Sequence, residues 1–349
     1  MTRLRGVLLV LGVLALLASG ALFLTRQRGT TPAPYRYERL PLADAAATPA
    51  PDAATDAAPG PALERVQVIA TDDQKVLAEF DIANGQDGLV RMDWRARVDD
   101  PLLQLSAPLE EVRELADVLK RHHAAGTPVL SWWDTGRQLQ VLGATDVLFN
   151  QHLAQPLFVP ARWNQQRDAV LRTEQAFWGE VDAQALKRFD TFTRALVARE
   201  DEGVRLLRSI VPDRKAILVL HLRDILLLGQ MHPDALAVGF QDFTDPGDVH
   251  RSVRGVHGWL RDSGQQAYAV TKLPGQMLRV VALNDKSSGD TLAARLLPFI
   301  GNNQVDVAGL TLVWRGGGFV VFELEPTGAG ATAQATQAAP TLAVHRESE

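Results

Sequence analysis

Residues 215–222 read KAILVLHL. From Ala216 to Leu220 every side chain is apolar, without the alternation of a strand that keeps one face in water. Such a run marks a strand covered on both faces, the habit of sheets with helices packed above and below. Working outward, strand and helix patterns alternate. Upstream lie the strand patterns RVQVIA (65–70), KVLAEFDI (75–82) and GLVRMDWRARV (88–98). They are followed by APLEEVRELADVLKRHH (107–123), a helix with Leu109, Val112, Leu115, Ala116 and Leu119 on one face. TPVLSWW (127–133) reads as a short buried strand. Asp182 is placed to cap a helix running toward Ala198, and DEGVRLLRSIV (201–211) is helical. Downstream come the strands ALAVGFQDF (235–243), QAYAVTK (266–272) and MLRVVALN (277–284), and the helices of 247–264 and 289–300. A closing hairpin at 307–325 turns on Gly316, Gly317 and Gly318. The alternation predicts an α/β fold with a mainly parallel sheet and helices on both faces. A helical middle, residues 162–209, divides the body of residues 64–326 into lobes 64–161 and 210–326.

The ends differ from the body. Residues 6–24, GVLLVLGVLALLASGALFL, contain no charge. As a helix they span roughly 28 Å, close to the hydrocarbon thickness of a bilayer. Arg3 and Arg5 precede the run, and Arg26 and Arg28 follow it. Residues 1–28 therefore read as an N-terminal transmembrane anchor. A cleaved signal peptide is the rival reading, with Ala18-Ser19-Gly20 as its small-residue site. The anchor is preferred because the apolar run continues through Leu22, Phe23 and Leu24. Both readings export the rest of the chain, to the periplasm if the membrane is an inner one. Residues 29–63 read as a Pro/Ala-rich tether, and 327–349, rich in Ala, Thr, Gln and Gly, as a disordered tail.

Composition excludes several chemistries. The chain has 349 residues and no cysteine. It has no disulfide, no thiolate nucleophile, no Cys-bound zinc or iron–sulfur cluster, and no haem attached through C-x-x-C-H. With 36 basic and 41 acidic residues, a net charge of −5 gives no basic face for nucleic acid. Nucleophile elbow, phosphate-binding glycine loop and H-E-x-x-H are all missing. No catalytic residue is assigned and no cofactor is expected.

Residues 130–137, LSWWDTGR, carry the strongest site signal. They end a predicted strand, where ligands sit in open α/β sheets. Adjacent strand residues face opposite ways, so Trp132 and Trp133 cannot fill the same core. One indole packs and the other, expected to be Trp133, lines a cleft with Asp134 as acceptor and Arg137 as anion holder. In the bland alternative both indoles pack and Asp134 only caps the next helix. Asp242, in the strand-to-helix loop GFQDFTDPGD (239–248), is a further candidate, and Lys272 closes a third loop. His250 and His257, seven apart on one helix, with Asp242 and Asp245, form a weak metal constellation that Arg251 and Arg254 oppose. His221, Asp224, His232 and Asp234 form another loose cluster. A solvated face is the better account of these histidines, so no metal site is assigned.

Two resemblances add to this. Trp132, Trp133, Asp134 and Gly136 are similar to the W-W-D-x-G signature in the exported domain of oligosaccharyltransferase catalytic subunits, with Thr135 where that family has tyrosine. The similarity covers ten to twenty residues and implies peptide or glycan binding, transferase-like, without the multi-span catalytic domain. Over most of its length the chain resembles the HaoB family, the hydroxylamine oxidation protein. The likeness rests on the anchor, the tether, the cysteine-free body, SWWDTGRQLQVL (131–142) and HLRDILLLGQMHP (221–233). It implies a membrane-anchored periplasmic accessory of hydroxylamine oxidation, partnered with a multihaem hydroxylamine oxidoreductase and carrying no c-type haem itself.

Overall fold

The computed structural model describes residues 32–40 and 64–326, except 101–102, 104–105, 144–145, 154–160, 245–248, 266, 274–276 and 303–305. The stretch 215–222 supplies β6 (Ala216–His221), every residue of which is buried. Its side chains divide between two cores. Ala216, Leu218 and Leu220 enter a large cluster with Phe189, Phe192, Leu196 and Leu207. Ile217 and Val219 enter a smaller one with Val112, Leu115, Leu119 and Leu139. The first cluster is built on helices that turn out to be α4 (Ala183–Val197) and α5 (Glu200–Ile210). The second rests on α1 (Leu109–His122) and α2 (Trp133–Val141).

The expectation of a mainly parallel sheet fails. β6 pairs parallel only with β5 (Val129–Leu130), through two residues. Its other neighbour, β11 (Phe319–Leu324), is antiparallel, and β11 pairs antiparallel with β10 (Leu310–Gly316). The order β10-β11-β6-β5 is thus a mixed sheet. The physical reason is plain: an unbroken apolar run reports cover on both faces and carries no information about strand direction.

Two further sheets are wholly antiparallel. β1 (Tyr35–Arg39), β2 (Glu64–Ala70), β3 (Val76–Gly85) and β4 (Gly88–Ala96) form a meander in sequence order. β1 comes from the stretch expected to be tether. Its sequence YRYER alternates, and Tyr35 and Tyr37 turn inward against Val66, Val68 and Phe80 while the charged residues face out. β7 (Val238–Thr244), β8 (Ala267–Leu273) and β9 (Met277–Leu283) make the third sheet, in the order β7-β9-β8.

Helices connect the sheets. α3 (Arg167–Trp178) lays Val170 on the meander core. Asp182 caps α4 by accepting from Gln184 N at 2.9 Å. α6 (Asp224–Met231) follows β6 directly, and α7 (Val249–Asp262) packs Val256 and Leu260 on Val280 and Ala282 of the third sheet. Two short helices, α8 (Lys286–Gly289) and α9 (Leu292–Leu296), precede the closing hairpin. The predicted anchor, residues 6–24, lies outside the described residues. Among those described, no helix is long and apolar enough to cross a membrane.

Candidate functional site

β5 and β6 run side by side, and both end at the same edge of the mixed sheet. β5 stops at Leu130. Trp132 stands at the N-cap of α2, and Trp133 is already helical. After His221 the chain turns into α6, whose first residue is Asp224. The carboxyl ends of the parallel pair thus bring Asp134 and Thr135 together with Arg223 and Asp224. In open α/β sheets this edge forms the ligand crevice. Here the meander closes it, by inserting Arg91 from β4.

The resulting cluster is an ionic chain. Asp134 Oδ1 accepts from Arg223 Nη2 at 2.6 Å, and Oδ2 from Arg91 Nη2 at 3.1 Å. Arg223 Nη2 also donates to Thr135 Oγ1 at 2.8 Å, and Thr135 N donates to Asp134 Oδ1 at 2.8 Å. Asp224 Oδ2 accepts from His221 N at 2.8 Å, and its Oδ1 lies 3.5 Å from Arg223 Nε. His221 Nδ1 accepts from Arg223 N at 3.1 Å, which leaves Nε2 toward Glu111 Oε2, 3.7 Å away. Arg91 lies over the Trp94 ring, 4.9 Å from its centroid, a favourable seat for a guanidinium. Burial pushes the Asp134 carboxyl up, but Arg223, Arg91 and its hydrogen bonds outweigh that and hold it below the usual range. Asp224 goes the other way, because burial outweighs the help of Arg223 and His221. The two aspartates and two arginines balance, as buried charges must.

Every candidate in LSWWDTGR is buried: Trp132 at 3% exposure, Trp133 at 6%, Asp134 at 3% and Arg137 at 2%. The expected cleft-lining indole is therefore not found. The helix begins two residues earlier than expected, so the chain leaves the strand between the two indoles, Trp132 as the extended N-cap and Trp133 as the first helical residue, and both rings turn inward. Trp132 meets Phe189 edge-on, with centroids 5.1 Å apart. Trp133 meets His152 at 4.5 Å, and His152 stacks on Trp178, also at 4.5 Å. Arg137 donates to the carbonyls of Leu89 at 2.6 Å and Asn150 at 3.3 Å. Burial lowers its guanidinium to about 10, with Asp87 opposing. Gln138 Nε2 donates to the carbonyls of Arg91 and Met92 at 3.0 and 2.8 Å. The motif is the place where α2 is bonded to the meander.

A family model, described as HaoA-associated protein HaoB, matches residues 1–324. The chain belongs to the HaoB family. No curated protein and no solved structure matches it. In this HaoB-family chain the Trp-Trp-Asp segment presents no indole to solvent, which removes the geometric basis for a peptide- or glycan-binding reading of W-W-D-x-G.

The other candidates fall elsewhere. Asp242 sits in the third sheet and accepts from Arg279 Nε at 2.7 Å and Nη2 at 2.8 Å. Arg279 lies 4.5 Å over the Phe240 ring, so Asp242 belongs to a separate buried pair. His257 Nε2 is 3.4 Å from Tyr268 Oη, and His232 Nε2 is 3.0 Å from Thr193 Oγ1. Asp245 and the side chain of His250 lie outside the described residues. Among the described residues, no group of three or more His, Asp or Glu is placed to hold a metal.

Sequence reasoning missed Arg91, Glu174, Tyr35 and Tyr37. Glu174, on α3, is buried beside the cluster and accepts the hydroxyls of both Tyr35 and Tyr37 on one oxygen. The alternation in YRYER was the available signal for the tyrosines. Arg91 carried none, since an arginine in an alternating strand reads as a solvent residue.

Proposed function

We propose that this HaoB-family chain is a non-enzymatic accessory that works beside HaoA, the hydroxylamine oxidoreductase, held to the cytoplasmic membrane with its body on the periplasmic side. The family description, which names association with HaoA and spans residues 1–324, carries the reading of partner and pathway. The uncharged run at 6–24 supports the tether. The lack of any cysteine leaves this chain without a C-x-x-C-H site for covalent haem, which supports an accessory role. A role in bracing or presenting suits a crevice whose charged groups are already matched within the chain.

The test is capture of the affinity-tagged full chain from its native membranes. HaoA is the expected co-purifying protein, and the chain itself is expected in the membrane fraction. A capture with HaoA no more abundant than in an untagged control sinks the partner assignment. Recovery of the full chain only from the cytoplasmic fraction sinks the tether.

A further inference from the structure

The aromatic cluster around Glu174 is built unlike an ordinary apolar core. It gathers two of the chain's three tyrosines. Tyr37 lies 5.9 Å from Trp178 and 5.6 Å from Tyr35, and Tyr35 lies 5.3 Å from Trp163, all between ring centroids. Trp178 is partly exposed, so the series runs from the surface inward. Tyr37 Oη donates to Glu174 Oε1 at 2.6 Å, and Tyr35 Oη donates to the same oxygen. A carboxyl oxygen has two lone pairs and accepts from both phenols at once. Glu174 and Trp178 stand four residues apart on α3, so one helix face supplies both the base and the outer ring.

We propose that Tyr35, Tyr37 and Glu174 form a proton-coupled redox site, a one-electron relay or sink entered through Trp178. A high-potential one-electron oxidant takes an electron by way of the Trp178 ring. The electron leaves Tyr37, its O–H bond breaks, and the proton moves along the existing hydrogen bond to Glu174 Oε1. The products are a reduced oxidant, a neutral tyrosyl radical and a carboxylic acid. One-electron reduction of the radical returns the proton and restores the start. A phenol alone is a poor donor because its oxidised form must lose a proton; an in-place base removes that obstacle. Burial raises the Glu174 carboxyl, making it a stronger base than a surface carboxylate, although both tyrosines pull the other way. The site rests on this chain's own geometry and stands whether or not HaoA is its partner.

The chain has only three tyrosines, so the test is clean. In full-length Tyr268→Phe any tyrosyl radical must sit on Tyr35 or Tyr37. That protein is oxidised with a photogenerated trivalent ruthenium polypyridyl complex and frozen for electron paramagnetic resonance. A neutral tyrosyl signal is expected, with no proton appearing in the bulk by indicator dye. No tyrosyl signal, or one proton released per radical, overturns the proposal. Adding Glu174→Gln keeps the shape but removes the base, and should slow radical formation by about a hundredfold. An unchanged rate in a protein that still melts cooperatively also overturns it. The dye measurement decides the question even where Glu174→Gln does not fold.

Discussion

At the scale of single residues, Asp134 holds the junction. Two guanidiniums converge on its carboxylate; Asp134 and Arg223 are buried and Arg91 is mostly so. Asp134→Asn keeps the shape but leaves the two cations Arg91 and Arg223 with Asp224 as the one remaining carboxylate of the cluster. The expected loss is about 3–5 kcal/mol of unfolding free energy by urea titration, the usual cost of breaking a buried pair. The exposed Arg36–Glu38 pair is the control, and Glu38→Gln should change stability by less than about 1 kcal/mol. Equal effects of the two substitutions would show that the cluster is not the brace described. His152 supplies a pH dependence. Burial, followed by the charges of Arg137 and Arg91, lowers its pKa from 6.5 to about 2. The unfolded chain then binds a proton that the folded chain refuses, so stability falls as pH drops below 6.5. Between pH 7 and pH 5 the loss from this site is about 2 kcal/mol. Asp134 adds no slope in that window: its depressed pKa gives stability that is lost only at pH values below the ordinary carboxylate range. His152→Phe, which keeps an aromatic ring between Trp133 and Trp178, should flatten the pH 5–7 profile. An unaltered slope in the variant would exclude His152 as its source.

At the scale of elements, α2 is held by close approach as well as by hydrogen bonds. A Cβ on Gly136 would stand 2.7 Å from Val147 Cγ1, 3.0 Å from the Phe149 carbonyl and 3.0 Å from Ser131 Oγ. Gly136→Ala should gain at most about 1 kcal/mol of helix propensity and lose about 1–3 kcal/mol to overpacking, so the melting temperature falls. Gly258→Ala on α7 meets nothing within 4 Å and should raise it. A rise in both would mean that the Val147–Phe149 segment yields without cost. This close fit also explains how far the sequence could be read. β2, β3, β4, α1, α4, α5 and the closing hairpin were legible because each is long enough to show its period. β5 was read too long, as 127–133, since the two residues that pair, Val129 and Leu130, are too few to show where the strand stops. The helix was expected with Asp134 or Thr135 as its cap; its earlier start at Trp133 was hidden because the N-cap position is held by Trp132, which has no capping side chain. β1 was hidden by the proline and alanine around it. Of the site, Asp134 and Arg137 were found as residues but given the wrong surroundings. What closes over them, Arg91, lies 43 residues from its partner, and no local pattern reports such a pairing.

At the scale of the whole molecule, the meander is joined to the helices of the mixed sheet by polar bonds as well as by an apolar patch, in which Ala83, Val90 and Met92 pack with Leu109, Val141 and Leu142. Arg91 reaches Asp134, and Arg137 and Gln138 of α2 bond the backbone of β4; within the meander's own core, Glu174 of α3 ties Tyr35 and Tyr37 of β1. Each such bond left unmade inside the protein costs about 1–3 kcal/mol, more where a charge is involved. Separating the meander exposes or orphans all of them together, so a state with one sheet folded and the other open is strongly disfavoured. A folded region of this size does not unfold in one step by default, which makes the expectation informative. Urea unfolding followed by tryptophan fluorescence and by far-ultraviolet circular dichroism should give coincident single transitions. The tryptophans of the junction report its opening, and the dichroism reports the helices around the main core. Asp134→Asn should shift both curves to lower urea. The doubly altered Asp134→Asn/Glu174→Gln protein should separate them, with fluorescence changing first, because the ties at both edges of the meander are then weakened. Two separated transitions in the unaltered chain would mean that the sheets are held independently and that the buried ionic chain does not couple them.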